Sequence, residues 1–259
     1  MKKLAIYYGW PSAVHNLEKE SGSLEQTIDI FSDFDLFILA DGLENPVHDD
    51  HENTKKIISG SKSNGKEFFG YINTGNCPEY PILTEMEIYE KLEKWLSTGF
   101  DGVLYDLLDP PYKASPKRIA NIVNHAHDMG LKAFYNITFD SVSEGWLEER
   151  VNPIAKNDDM LLIEPFGTSW EKEKYPLPKR LPKILRNMQK KNIQIAGVST
   201  YDPEKISVLS DSGKEILSKR HKKYKHKAEQ LGLDCFQFTN GLYSSSGKEA
   251  NLLIDFDSL

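Results

Sequence analysis

Three polar residues end consecutive apolar runs in the middle of the chain, where they could act together on a glycosidic bond. Asp106 ends the run Gly-Val-Leu-Tyr-Asp, Asn136 ends Ala-Phe-Tyr-Asn, and Glu164 ends Leu-Leu-Ile-Glu. Hydrolysis of a glycosidic bond uses two carboxyl groups, one as proton donor and one as nucleophile or base. We expect Glu164 to be the acid, Asp106 the nucleophile or stabiliser, and Asn136 the group that orients a ring substituent. In the alternative, these carboxylates only cap helices or pair with Lys and Arg.

The separation of the two carboxyl groups determines the stereochemical outcome. A separation near 5 Å indicates retention and one of roughly 6.5–9.5 Å indicates inversion, unless an N-acetyl group of the substrate itself takes part. Asp106 and Glu164 end strands that are two apart, and neighbouring strands lie about 4.8 Å from each other. The predicted spacing therefore falls in the range that glycosidases use.

Eight short runs rich in β-branched and aromatic residues would position these side chains. They alternate with stretches of helical composition, which predicts an α/β protein folded as a (β/α)8 TIM barrel. An open doubly wound sheet is the alternative. One barrel commonly uses the whole of such a length, so we expect a single domain spanning residues 1–259. The predicted strands are 4–10, 36–41, 67–73, 102–107, 132–138, 160–165, 193–200 and 235–240, and the predicted helices are 85–97, 116–129, 147–155, 179–191 and 210–231, with 59–66 as a loop.

Residues that follow the strands are candidates for holding a substrate, because barrel chemistry is built at the carboxyl ends of the strands. Alternation along each strand turns Asp106, Asn136 and Glu164 together toward the barrel mouth. Aromatic side chains there can pack on the apolar faces of sugar rings, and two carboxylates either bind hydroxyl groups or cap helices. The candidate substrate-binding residues are Tyr8, Trp10, Asp41, Tyr71, Tyr112, Trp170, Asp202 and Tyr243.

These residues and the motifs around them resemble the spherulin-4 proteins of glycoside hydrolase family 135 and the neighbouring families 114 and 166. The shared motifs are Tyr-Tyr-Gly-Trp-Pro after strand one, Phe-Phe-Gly-Tyr-Ile-Asn-Thr in strand three and Phe-Asp-Gly-Val-Leu-Tyr-Asp in strand four. The resemblance implies an endo-acting hydrolase of α-1,4-linked galactosamine or N-acetylgalactosamine polymers. It also implies active-site roles for Asp106, Asn136 and Glu164.

Charge and composition limit the partners. The formal net charge of −7 argues against a nucleic-acid binder and suits a neutral or cationic ligand. The partner expected from the strand-end residues and the resemblance is a carbohydrate polymer. The basic run 219–227 is predicted to be the solvated face of a helix. We expect no membrane span, because no run approaches the required length of about 20 apolar residues. The oligomeric state is left open.

The start of the chain leaves no room for a signal peptide before the first strand. We therefore expect a soluble, cytoplasmic protein, or an extracellular one if a signal segment has been removed. Cys77 follows one predicted strand and Cys235 begins another, which would place them at opposite barrel ends. A disulfide tolerates only about 7 Å between Cα atoms, so both thiols are expected to be free.

No cofactor is expected, since the sequence carries neither a dinucleotide fingerprint nor a P-loop. The sequence His-Asp-Asp-His at 48–51 is predicted to be a solvated loop, not a metal site, and His125 and His127 should point in different directions on their helix. No Lys ends a predicted strand, which disfavours Schiff-base chemistry.

Two other functions are compatible with the sequence. One is a barrel of the same family that binds glycan or protein without catalysis, which a shallow mouth with widely separated carboxylates would favour. The other is a phosphosugar enzyme that cradles phosphate with the loop at 239–247, whose sequence includes Thr-Asn-Gly and Ser-Ser-Ser-Gly.

Overall fold

The computed structural model describes residues 1–20, 22–75, 82–108, 115–138 and 154–259. Eight parallel strands pair in chain order and close into one barrel, which confirms the predicted TIM-barrel fold and excludes an open sheet. The strands are β1 (Lys2–Tyr7), β2 (Leu36–Leu39), β3 (Glu67–Asn73), β4 (Gly102–Asp106), β5 (Lys132–Thr138), β6 (Met160–Glu164), β7 (Gln194–Tyr201) and β8 (Cys235–Asn240).

Helices cover the outside of the barrel between the strands. Several begin at a serine or threonine whose side chain accepts a hydrogen bond from the first turn, such as Ser115 and Ser210, and Thr84 forms a complete capping box with Glu87. The helices of the described residues are α1 (Leu24–Ser32), α2 (His51–Lys62), α3 (Glu85–Thr98), α4 (Pro116–Asp128), α5 (Leu181–Gln189) and α6 (Asp211–Gln230).

Alternation along the strands divides the buried residues into two sets. One set lies between the strands and the helices, and the other fills the barrel interior. Tyr8, Tyr71 and Tyr243 pack on top of the interior set, at the carboxyl ends of the strands. Packed apolar side chains thus fill the barrel interior beneath the polar strand ends. Its buried members are Leu4, Ile6, Leu36, Ile38, Phe69, Leu104, Phe134, Met160, Leu162, Ala196, Val198 and Cys235.

The junction between β1 and β8 is closed partly by a side chain. The backbone register pairs Lys2 with Cys235 and Lys3 with Phe236. Further up, the buried Gln237 accepts from the Ile6 amide at 2.6 Å and donates to the Ile6 carbonyl at 3.2 Å. Its carboxamide therefore takes the place of a peptide unit in the ladder.

Some predicted boundaries are wrong. β1 ends at Tyr7 and not at residue 10, because Gly9 leads into a short 3-10 turn at Pro11–Ala13. The predicted loop at 59–66 contains the last turn of α2, where the absence of a side chain at Gly60 lets Ile28 of α1 pack closely. Ile154 and Ala155 are not helical, and the rest of the predicted helix 147–155 lies outside the described residues.

The segment 48–51 is not a solvated loop. Asp50 and His51 are buried; Asp50 accepts from the Ser12 amide at 3.0 Å, and His51 Nδ1 lies 2.8 Å from the Leu43 carbonyl. Through these hydrogen bonds, Asp50 and His51 stabilise the loop after β2. The expectation for helix α6 is correct, since Lys219, Lys222 and Lys223 of its basic run are exposed.

Cys235 is free and buried in the barrel interior, where burial raises the pKa of its thiol to about 12. Cys77 lies outside the described residues. His125 stacks on Tyr89 with ring centres 4.0 Å apart, while His127 Nε2 contacts Asp159 at 3.1 Å, so the two histidines do point apart.

Candidate active site

Asp106, Asn136 and Glu164 meet at the mouth of the barrel. The single side-chain nitrogen of Asn136 donates to Asp106 Oδ1 at 2.9 Å and to Glu164 Oε2 at 2.9 Å. With ideal trigonal geometry at the amide nitrogen, two bonds of this length correspond to about 5 Å between the bonded oxygens. Retaining glycosidases have this carboxyl spacing, whereas inverting enzymes need room for a water molecule between the groups.

Further donors surround the Asp106 carboxylate. The Tyr71 hydroxyl donates to Oδ2 at 2.6 Å, and the Leu107 amide donates to Oδ1 at 2.8 Å. Leu107 adopts a φ of 56°, a left-handed conformation that is unfavourable for a leucine. Hydrogen bonds donated to a carboxylate stabilise its anionic form, which is the form that a nucleophile requires.

Glu164 lies in a different environment. Burial is the main cause that raises the pKa of Glu164, and the negative charge of Asp106 raises it further. The hydrogen bonds from Tyr243 and Asn136 oppose this and lower it. A carboxyl group with a raised pKa is suited to donate a proton.

Tyrosine side chains complete a ring of polar groups. Tyr8 lies between Tyr71 and Tyr243, with ring centres 5.5 and 5.1 Å away. Burial raises the pKa of all three hydroxyls. The charge of Asp106 acts in the same direction on all three, and that of Glu164 on Tyr8 and Tyr243. The hydroxyl groups therefore remain protonated. Tyr243 adopts a φ of 48°, a second left-handed residue, and its hydroxyl donates to Glu164 Oε1.

A pocket opens beside this ring on the Asp106 side. It has a volume of about 280 Å³ and is lined by Tyr8, Ala40, Asp41, Tyr71, Asn73 and Ser245. Asp41 is half exposed there, and its Oδ1 forms an ion pair with Lys91 Nζ at 2.6 Å. Lys91 also binds the buried Glu44, and although burial alone would lower the pKa of Lys91, these two partners raise it. The lysine thus fixes the loop that carries Asp41.

Two exposed tryptophans stand on the rim. Trp10 is 49% exposed, and its ring lies 5.6 Å from that of His48 on the loop after β2. Trp170 is 48% exposed and rests on the backbone of Gly241, where a Cβ atom would overlap the indole. The Trp170 amide donates to Thr200 Oγ1 at 3.0 Å, which holds this residue over β7 and β8.

The chain is similar in structure to several solved proteins. The glycoside hydrolase domain of PelA from Pseudomonas aeruginosa is 13% identical, with a TM-score of 0.57 over 93% of this chain and 95% of that domain. A GH10 endoxylanase from a sugarcane soil metagenome is 11% identical, with a TM-score of 0.55 over 93% and 85% of the two chains. The intracellular xylanase TsXylA from Thermoanaerobacterium saccharolyticum is 12% identical, with a TM-score of 0.54 over 93% and 86%.

These likenesses, at such low identity, establish the barrel fold. The sequence matches no protein-family model and no curated protein.

The remaining predicted binding residues fall in different places. Tyr8, Tyr71 and Tyr243 belong to the ring, Asp41 to the pocket, and Trp10 and Trp170 to the rim. Asp202 pairs with Lys205 at 2.8 Å and accepts from the Glu204 amide at 3.0 Å, so it caps a turn after β7. Tyr112 lies outside the described residues.

Asn73, a polar residue at the pocket, is missing from the residues predicted from the sequence. Asn73 is the last residue of β3 and pairs in register with Asp106. The same strand-end rule that selects Asp106 would have selected it, since Asn73 follows the apolar run Phe-Phe-Gly-Tyr-Ile.

The loop after β8 does not have free amides for phosphate at two of its positions. Asn240 Oδ1 accepts from the amides of Leu242 and Ser244, each at 3.0 Å, and the Ser244 hydroxyl donates to the Leu252 carbonyl. Within the described residues, no group of three potential ligands is placed to hold a metal ion. Nor does any helix in the described part of the chain have the length and hydropathy needed to cross a membrane.

Proposed function

We propose that this barrel is a retaining glycoside hydrolase in which Asp106 is the nucleophile and Glu164 the general acid and base. The observation that supports it most is the bridge from the single Asn136 nitrogen to both carboxylates. With trigonal geometry at that nitrogen, the bridge corresponds to about 5 Å between the bonded oxygens, which supports direct attack of Asp106 on the anomeric carbon.

The first step forms one bond and breaks another. A carboxylate oxygen of Asp106 attacks the anomeric carbon while the bond from that carbon to the glycosidic oxygen breaks. The proton of Glu164 moves to the departing oxygen, which leaves as a hydroxyl group. The product is a sugar ester of Asp106 and an ionised Glu164.

The second step restores both residues. Glu164 removes a proton from a water molecule, whose oxygen attacks the anomeric carbon and releases Asp106 as a carboxylate. Before substrate binds, Asn136 donates to both carboxylates. Once either carboxylate binds the sugar instead, Asn136 can donate to a ring substituent. One water molecule is consumed for each glycosidic bond.

For the substrate we propose a polymer of α-1,4-linked galactosamine, N-acetylgalactosamine or both, cut internally. This follows from the spherulin-4-like motifs around β1, β3 and β4. The net charge of −7 is compatible with a cationic aminosugar polymer. The exposed Trp10 and Trp170 provide two stacking surfaces near the tyrosine ring, as a long substrate would need.

The test is the release of reducing ends from the two homopolymers and from a mixed polymer. Asp106→Asn and Glu164→Gln should each lower the rate by at least about 100-fold, the usual contribution of a nucleophile or acid. Asp202→Asn, which alters a strand-end carboxylate outside the ring, is the matched control and should remain active. Release of no reducing ends by the unaltered protein would instead favour a glycan-binding barrel.

The anomer of the first product tests retention separately. Proton NMR during the first minutes should detect the α-anomer before mutarotation. Early formation of the β-anomer would contradict the nucleophilic role of Asp106 while leaving hydrolysis itself intact.

A further inference from the structure

The pocket on the Asp106 side contains a buried amide group with an unused donor. Asn73 is 6% exposed, and its Oδ1 accepts from the Gly75 amide at 3.0 Å. That contact fixes the orientation of the carboxamide, because the opposite orientation would set two donors against each other. Among the described residues, Asn73 Nδ2 then has no hydrogen-bond partner.

The position of Asn73 is rigid as well as buried. The next residue, Thr74, donates from its amide to the Asp106 carbonyl at 3.1 Å, and its hydroxyl donates to the same oxygen. A buried donor without an acceptor is unfavourable and rare in folded proteins. A ligand in the adjoining pocket can supply the acceptor.

We infer that this pocket binds the sugar unit on the non-reducing side of the bond to be cleaved. Asn73 Nδ2 donates to a hydroxyl or carbonyl oxygen of that sugar, and the half-exposed Asp41 carboxylate accepts from a hydroxyl or ammonium group. Asn73 therefore recognises a hydrogen-bond acceptor of the sugar ring, and Asp41 recognises a donor of the same ring. This inference depends on the proposed function, because it uses the roles assigned to the two carboxyl groups.

The arrangement of the ring gives the polymer a direction. The nucleophile must approach the anomeric carbon of the non-reducing unit, and the acid must reach the oxygen that leaves with the reducing unit. Asp106 adjoins the pocket through Tyr71 and Asn73, while Glu164 binds Tyr243 in the loop that supports Trp170. The reducing end therefore extends over β7 and β8 toward Trp170, and the non-reducing end lies toward Asp41 and Trp10.

A paramagnetic label measures this direction without catalysis. The Glu164→Gln protein, with its four tryptophans labelled with ¹⁵N, is titrated with α-1,4-linked galactosamine and N-acetylgalactosamine tetramers that carry a nitroxide at the reducing end. The Trp170 indole signal should broaden more strongly than the Trp10 signal. Trp170→Phe and Trp10→Phe assign the two signals.

The outcomes separate the inference from the function on which it rests. Stronger broadening of Trp10 would overturn the direction and leave the hydrolase intact. A titration that shifts no signal with either tetramer would overturn both.

A pair of variants tests Asn73 itself by calorimetric titration with the same tetramers, unlabelled. Asn73→Asp keeps an acceptor for the Gly75 amide but loses the donor, and Asn73→Leu loses both. Each should weaken binding by about tenfold, as expected for one hydrogen bond to a buried group. Asn64→Asp, on an exposed turn at the other end of the barrel, is the control. Equal affinities in all four proteins would rule out the role of Asn73.

Discussion

Asp106 and Glu164 have different surroundings although one amide group touches both. Among the described residues, Tyr71, Asn136 and the Leu107 backbone donate to Asp106. For Glu164, burial is the main cause of a raised pKa, and the charge of Asp106 adds to it. Neighbouring carboxyl groups with different environments are how enzymes separate acid from nucleophile.

The Tyr243 hydroxyl should set the alkaline limit of activity. Its hydrogen bond stabilises the ionised form of Glu164, so Tyr243→Phe removes an influence that lowers the pKa of Glu164. The acid then keeps its proton to higher pH. We expect the alkaline limb of the profile of kcat/KM to move upward by as much as about one pH unit, equivalent to about 1.4 kcal/mol.

Tyr71→Phe is the matched control for that shift. Tyr71 donates to Asp106 and not to Glu164, so its removal should act on the acidic limb. Movement of the alkaline limb by Tyr71→Phe but not by Tyr243→Phe would contradict the assignment of acid and nucleophile.

Glu164→Gln should be more stable than the unaltered protein at neutral pH. The pKa of Glu164 in the folded state is raised above its ordinary value of 4.5, so the folded protein binds the proton more tightly than the unfolded chain. Stability of the unaltered protein therefore falls as pH rises from about 4.5 through the folded pKa. The gain in free energy of unfolding should be absent at pH 4 and present at pH 8, measured by urea unfolding. A gain of equal size at both pH values would contradict ionisation as its cause.

At the scale of elements, the loop after β8 both supports Trp170 and delivers Tyr243. Gly241→Ala should displace the indole, because the added Cβ atom would overlap it. We expect the KM for polymer to rise by about fivefold to tenfold with little change in kcat, as for loss of one aromatic contact worth about 1 kcal/mol. The double variant Gly241→Ala/Trp170→Ala should bind no more weakly than Trp170→Ala alone. An additive effect would mean that Gly241 acts through another group.

The strands and the three strand-end residues were predictable because both depend on local alternation. An apolar run followed by a polar residue places that residue at the barrel mouth whatever the surrounding loops do, as for Asp106 and Glu164. α1 and α2 were harder to predict, since Gly60 and its polar neighbours resemble a loop until Ile28 packs against them. The paired bonds of Asn136 and the unused donor of Asn73 depend on contacts between distant parts of the chain, which no local pattern contains.

For the molecule as a whole, Gln237 supplies part of the closure of the barrel. Its carboxamide makes both hydrogen bonds to Ile6 between β1 and β8. Gln237→Leu would leave a buried amide and a buried carbonyl unpaired, so we expect the free energy of unfolding to fall by about 2–4 kcal/mol. Urea unfolding measures the loss, and hydrogen exchange at the Ile6 amide should accelerate. Gln230→Leu, on the exposed surface of α6, should change neither.

The junction between β1 and β8, which Gln237 helps to close, lies away from the strands that carry Asp106 and Glu164. The backbone register pairs two residues of β1 with β8, but it pairs four between β4 and β5 and five between β5 and β6, the strands that carry the carboxyl groups. We expect thermal opening to begin at the weaker side, next to Tyr8 and Ser245 of the pocket. We expect a polymer to enter as the barrel widens between β1 and β8, while the distance between Asp106 and Glu164 stays constant on the opposite side.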